Sequence, residues 1–155
     1  NSFLESTKYF SDPDRKDTDR DGIADGLEIF SLKSSPILRD TDGDGLVDGL
    51  EDKNLNGVRD IDETSVTAWD TDRDGLCDGF CIISEGVRTG FLAPVGYVPD
   101  RVDNFIGEDL NLSGELDDGE SNPLLADSDG DGVNDFKEFE DCILNELDVS
   151  YCETE

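Results

Sequence analysis

Carboxylates at alternate positions, followed by a glycine and a more distant glutamate, recur along this chain as a ligand pattern for a hard divalent cation. Asp17, Asp19, Asp21, Asp25 and Glu28 occupy positions 1, 3, 5, 9 and 12 of one such segment, with Gly22 at position 6. A cation of calcium's size takes about 6–8 oxygens at about 2.3–2.6 Å, so the segment must curl until alternate side chains converge. The carbonyl of Ile23 would add an oxygen, Asp25 one directly or through water, and Glu28 two as a bidentate ligand. Gly22 permits the sharp turn, since a residue without Cβ reaches positive φ at little steric cost.

Five more segments follow this scheme. The second supplies Asp40, Asp42, Asp44, the Leu46 carbonyl, Asp48 and Glu51, and the sixth Asp127, Asp129, Asp131, the Val133 carbonyl, Asp135 and Glu138. The third (Asp52, Asn54, Asn56, the Val58 carbonyl, Asp60, Glu63) and the fifth (Asp109, Asn111, Ser113, the Glu115 carbonyl, Asp117, Glu120) exchange carboxylates for amides and a hydroxyl. Less ligand charge implies weaker affinity there. The fourth has Asp70, Asp72, Asp74, the Leu76 carbonyl and Asp78, but Cys81 stands at its twelfth position. A thiol is a poor calcium ligand, which leaves Glu85 or water to fill the gap. One segment of this kind can arise by chance in an acid-rich chain; six with glycine at the same offset argue for calcium, about six ions or more.

Composition points the same way. With 41 acidic and 12 basic residues among 155, the chain has a formal net charge of −29. Like charges about 4 Å apart repel by about 1 kcal/mol in water and about 4 kcal/mol at an effective dielectric of about 20, so the metal-free form is expected to be strained. The acidity excludes nucleic acid and anionic membranes as direct partners, which require basic patches. No apolar run is long enough to cross a bilayer. Hydrophobic residues make up 34 % of the chain, below the usual share of about 45–50 %, so bound metal must do work that burial does elsewhere. With no histidine and no nucleophile or phosphate-loop motif, the carboxylates read as ligands and the chain as no enzyme. Four cysteines fit disulfides in an oxidising compartment; they allow three connectivities, of which the local one pairs Cys77 with Cys81 and Cys142 with Cys152. Zinc is the lesser alternative, because CxxC spacing is missing. The lack of an initiator Met and of a signal pattern reads as a fragment or a processed form.

The elements that must hold these ligands are short. Repeats occupy residues 1–81, an insertion follows at 82–108, and 109–155 holds the last two segments and a tail. EF-hands need a helix on each side of the loop, and the connectors between segments are too short for one. A dockerin-type reading suits the spacing of the first two segments alone. Leu27, Ile29, Phe30 and Leu32 are spaced for a short amphipathic helix before Pro36, and Asp141 to Leu147 for a second. The insertion, with Phe91, Pro94, Tyr97, Pro99 and Phe105, allows a short β-hairpin around residues 90–98 and a contact surface.

The stretches Ser35-Pro36-Ile-Leu-Arg-Asp40-Thr-Asp-Gly-Asp-Gly and Asn122-Pro123-Leu-Leu-Ala-Asp127-Ser-Asp-Gly-Asp-Gly resemble thrombospondin type 3 repeats, especially the bacterial kind. The resemblance spans roughly Asp12 to Glu138 apart from the insertion. It implies a mostly irregular, calcium-stabilised repeat array with short helical turns, extracellular, secreted or cell-surface. It also implies more than one calcium per motif and a role as spacer or adhesive stalk. The alternative is a subunit or docking module of a calcium-dependent extracellular assembly, contacting other proteins or its own copies through 82–108. The family's disulfide ladder does not carry over, because only two of the four cysteines fall near a loop end.

Overall fold

Four of the six segments carry threonine or serine at position 2, namely Thr18, Thr41, Thr71 and Ser128, and this residue organises the local fold. Its backbone amide donates to the carboxylate at position 9, Asp25, Asp48, Asp78 or Asp135, over 2.7, 2.7, 2.7 and 2.9 Å. Its hydroxyl accepts the amide of the residue six places earlier, Asp12, Ser35, Ser65 or Asn122. In the first, second and sixth segments the hydroxyl also donates to the other oxygen of the same carboxylate, at 2.7–2.8 Å. The position-9 amide then bonds the carbonyl just before position 1, that of Lys16, Arg39, Trp69 or Ala126. Each of these segments is thus clasped shut at its neck. A four-residue turn precedes every clasp, closed by Arg15, Leu38, Ala68 or Leu125 donating back three residues. Pro13, Pro36 and Pro123 sit second in three of these turns, where their fixed φ is already right.

This computed structural model describes residues 10–84, 87–89 and 105–144. Regular structure is sparse. A helical turn α1 (Asp25–Leu27) continues as a wider π-type turn over Glu28–Leu32, and Lys33 ends it in the left-handed region at φ 70°. The helix expected before Pro36 is therefore present but changes its winding. Helix α2 spans Asp48–Glu51 and α3 spans Asp135–Leu144, starting inside the sixth segment rather than after it. Strands β1 (Cys81–Ser84), β2 (Val87–Thr89) and β3 (Phe105–Ile106) form an antiparallel sheet in the order β2-β1-β3. A hairpin thus opens the insertion; the expected pair around 90–98 lies outside the described residues.

The clasped segments stack one on the next. A Cβ on Gly49 would collide with the Asp21 carbonyl, and one on Gly79 would lie 2.8 Å from the Asp44 carbonyl oxygen. Phe80 N donates to that same Asp44 oxygen at 2.5 Å. At the next joint Asn134 Nδ2 reaches the Asp74 carbonyl at 3.1 Å, and Phe136 N reaches Asp74 Oδ2 at 2.8 Å. First, second, fourth and sixth segments therefore form one continuous run. The third and fifth segments flank it: Leu55 lies over Gly22 and Leu112 over Gly45, while Leu27 and Leu50 cover Gly57 and Gly114 in return.

The interior inverts the usual composition. Among the described residues eight apolar side chains are buried, Ile23, Ile29, Pro36, Leu46, Val66, Leu76, Cys77 and Phe80, against thirteen carboxylates. Leu76 and Cys77, with Trp69, Phe136 and Phe139 against them, make a small cluster beside the fourth segment. So few apolar side chains, at about 1.5–3 kcal/mol for a large one, cannot offset the several kcal/mol that each buried ion costs.

Candidate metal centre

Position 1 builds the curl. Asp17 accepts the amides of Arg20 and Gly22, Asp40 those of Gly43 and Gly45, and Asp127 those of Gly130 and Gly132. Position 5 accepts the amide two residues on: Asp21 from Ile23, Asp44 from Leu46, Asp74 from Leu76, Asp131 from Val133. These bonds use one oxygen of each position-5 carboxylate; the other has no donor in Asp21 and Asp44, while in Asp74 it accepts the amide of Phe136. Buried oxygens with no donor include both of Asp19, both of Asp42, and Oδ2 of Asp21, Asp44 and Asp72.

Two kinds of cluster result. The first gathers positions 1, 3 and 5 of one segment: Asp17, Asp19 and Asp21; Asp40, Asp42 and Asp44; Asp70, Asp72 and Asp74. The second crosses a joint, uniting positions 5 and 12 of one segment with position 9 of the next clasped one: Asp21, Glu28 and Asp48; Asp44, Glu51 and Asp78. Within each cluster one oxygen per residue lies within 4.8 Å of the others. Asp21 and Asp44 belong to both kinds and so connect neighbouring sites.

The joint clusters alter the reading of position 9. The sequence assigns Asp48 and Asp78 to their own loops' ions, whereas the structure turns them to their own clasp and to the preceding segment's cluster. No sequence spacing within a single loop reveals this, because the partners are set by stacking.

Burial and mutual repulsion push these acids upward. Glu28 is raised to about 9, by burial first and then by Asp21, Asp19, Asp48 and Asp25. Asp21 is raised to about 7, Asp48 to about 8 and Asp78 to about 7, burial again leading. Asp44 and Glu51 are raised well above the carboxylate range, by burial and then by Asp42 and Asp44 respectively. The lysines and arginines of residues 10–80, and Lys137, are exposed, and the ion pairs Arg15–Asp12 and Lys53–Glu115 lie at the surface. Arg39 opposes the rise at Asp21, but as the least of the influences there. An all-oxygen donor set of clustered carboxylates fits a hard cation such as calcium.

The third and fifth segments satisfy themselves. Glu63 accepts the amides of Asn54 and Asp60, and Glu120 those of Leu110 and Asp117. Asn54 and Asn56 both donate to Asp60, and Asn111 and Ser113 both donate to Asp117. Those donors, Asn111 foremost, hold Asp117 below the usual carboxylate range. Protein hydrogen bonds thus occupy both oxygens of Glu63 and Glu120 and one oxygen each of Asp60 and Asp117, all of which the sequence assigns to metal. The difference lies at position 2, where Lys53 and Leu110 replace the clasping hydroxyl and release position 9 to turn inward.

No family model, curated protein or solved structure matches this chain. The site therefore stands on its geometry. The sixth segment keeps the same curl, a Cβ on Gly130 or Gly132 would meet nothing within 4 Å among the described residues, and Glu138 Oε2 is buried without a donor. Cys77 is buried in a disulfide, while the expected Cys142–Cys152 pair reaches outside the described residues. No described helix is long and apolar enough to cross a membrane. One carboxylate that the sequence reading missed also faces the stack. Glu108 is 1 % exposed, neither of its oxygens has a donor, and burial raises it to about 10 with Asp72, Asp74, Asp78 and Asp135 adding to the effect.

Proposed function

We propose that this chain is a calcium-binding repeat region of the thrombospondin type 3 kind, extracellular, in which shared ions fasten successive segments into a rigid spacer or adhesive stalk. The observation that carries this reading is the joint cluster. Asp21, Glu28 and Asp48, and again Asp44, Glu51 and Asp78, bring three buried or half-buried carboxylates from two segments to one point. Each divalent ion there neutralises charge and ties two segments together, so ion binding becomes folding free energy. Shared acids such as Asp21 and Asp44 place more than one ion on a segment. A stalk stiffened at every joint holds what it joins at a fixed separation, and its work is binding rather than catalysis. The disulfide at Cys77 agrees with an oxidising compartment.

Calorimetric titration of the demetallated chain, with ion counting by native mass spectrometry, tests this. Several calcium ions should bind and the melting temperature should rise with them. Glu51→Ala should lower both, while Asp62→Ala, at an exposed position outside the ligand positions, should change neither. Melting that a chelator leaves unchanged refutes the proposal.

A further inference from the structure

The fourth segment lacks a glutamate at position 12, yet its joint is built like the others. Position 12 in the first, second and sixth segments donates its amide to the carbonyl at position 8: Glu28 to Ala24, Glu51 to Val47 and Glu138 to Asn134, over 3.2, 3.3 and 3.1 Å. In the fourth segment the carbonyl at position 8, that of Cys77, is taken by Glu108 N at 2.9 Å. The next bond repeats as well. Asp52 N donates to Asp48 O at 2.9 Å after Glu51, and Asp109 N donates to Asp78 O at 3.0 Å after Glu108.

Glu108 therefore continues a helical turn that Phe80 leaves off, although residues 81–107 intervene in sequence. Strand pairing makes the bridge possible, since Cys81 lies opposite Ile106 and Ile82 opposite Phe105, bringing both ends of the insertion together. Gly107 has no room for a side chain, because a Cβ there would meet the Gly79 backbone. Sequence register agrees: Glu51-Asp52 begins the third segment as Glu108-Asp109 begins the fifth, and Asp70 and Asp127 keep the same offset.

We propose that Glu108 is the twelfth-position ligand of the fourth segment and forms, with Asp74 and Asp135, a divalent-cation site at the joint between the fourth and sixth segments. The set is position 5, position 12 and the following position 9, as in the two joint clusters already described. Glu108 brings two buried oxygens without donors. Phe136 N on Asp74 Oδ2 holds Asp74 beside Asp135, which is 2 % exposed. The insertion is thus spliced between positions 11 and 12 of a metal loop, and an ion here fastens its base to the stack.

The inference rests on the calcium reading, and the experiment separates the two. Trp69 is the chain's single tryptophan and its carbonyl bonds Asp78 N at 3.0 Å, so terbium emission sensitised by Trp69 reports on the fourth segment. Glu108→Gln should remove one ion from the calcium count and raise the terbium concentration for half-maximal emission at least about tenfold, because ligand charge tunes affinity over decades. Glu85→Gln should behave as wild type. An unchanged count and midpoint in Glu108→Gln, or loss of the ion in Glu85→Gln instead, overturns the proposal while the other sites still bind. Wild-type protein that binds no ion refutes the calcium reading itself. Should Glu108→Gln fail to fold, Glu108→Asp takes its place: a weakened midpoint supports the site, an unchanged one overturns it.

Discussion

Gly26 and Gly49 occupy the same position, the tenth, in the first two segments, and the stack gives them opposite tolerances for a methyl group. A Cβ on Gly49 would lie 3.0 Å from the Asp21 carbonyl carbon and closer still to its oxygen, whereas one on Gly26 meets nothing within 4 Å. Neither residue has positive φ, so backbone strain does not separate them. Relieving the Gly49 clash requires a rigid backbone to move by about 1 Å, an overpacking cost of about 1–3 kcal/mol. Alanine returns about 0.4–1 kcal/mol by restricting the unfolded chain. Gly49→Ala should therefore lose about 1–2 kcal/mol net, and Gly26→Ala should gain up to about 1 kcal/mol. At about 2–4 °C per kcal/mol for a chain of this size, melting should fall by about 2–8 °C in the first and rise by about 1–4 °C in the second. Calcium titration should show the same split, because Gly49 adjoins Asp48 of the joint cluster and its displacement spreads Asp48 from Asp21 and Glu28. Thermal melting in saturating calcium, with calorimetry beside it, reads both quantities. Equal shifts in the two variants would refute the stacking of consecutive segments and with it the shared sites.

Two further outcomes follow from the clasp and from the buried acids. Thr41→Val removes the hydroxyl that joins Ser35 N to Asp48 Oδ2 at 2.9 and 2.7 Å, and should destabilise by about 1–3 kcal/mol in thermal melts, while Thr41→Ser should restore most of it. In chelator, melting temperature should fall as pH rises. Glu28 and Asp48 have folded values of about 9 and about 8 against 4.5 and 3.8 unfolded, so the folded state holds more protons between those limits and loses stability as pH climbs through them. Saturating calcium should reverse that slope, since ions and protons compete for the same oxygens. A metal-free melt that improves with rising pH between about 5 and 9 would sink the assignment.

Residue type and spacing were enough to read the alternating carboxylates, the glycines that turn the chain, the sparse regular structure and the suitability for a hard cation, because each depends on contacts within about twelve residues. The contrast between clasped and self-satisfied segments was also present in the sequence, as Thr or Ser against Lys53 or Leu110 at position 2, though its meaning appears only once position 9 is seen to choose between two partners. Tertiary structure alone decided which acids share a site. Asp48 belongs with Asp21 and Glu28 because Gly49 lets the second segment settle on the Asp21 carbonyl, a packing event between residues far apart in sequence. Glu108 shows the same limit at larger scale: strand pairing carries a carboxylate across the insertion into a place where the linear motif has a cysteine. Local pattern fixes what a curl of chain can bind, and the approach of separate curls fixes where the charge gathers.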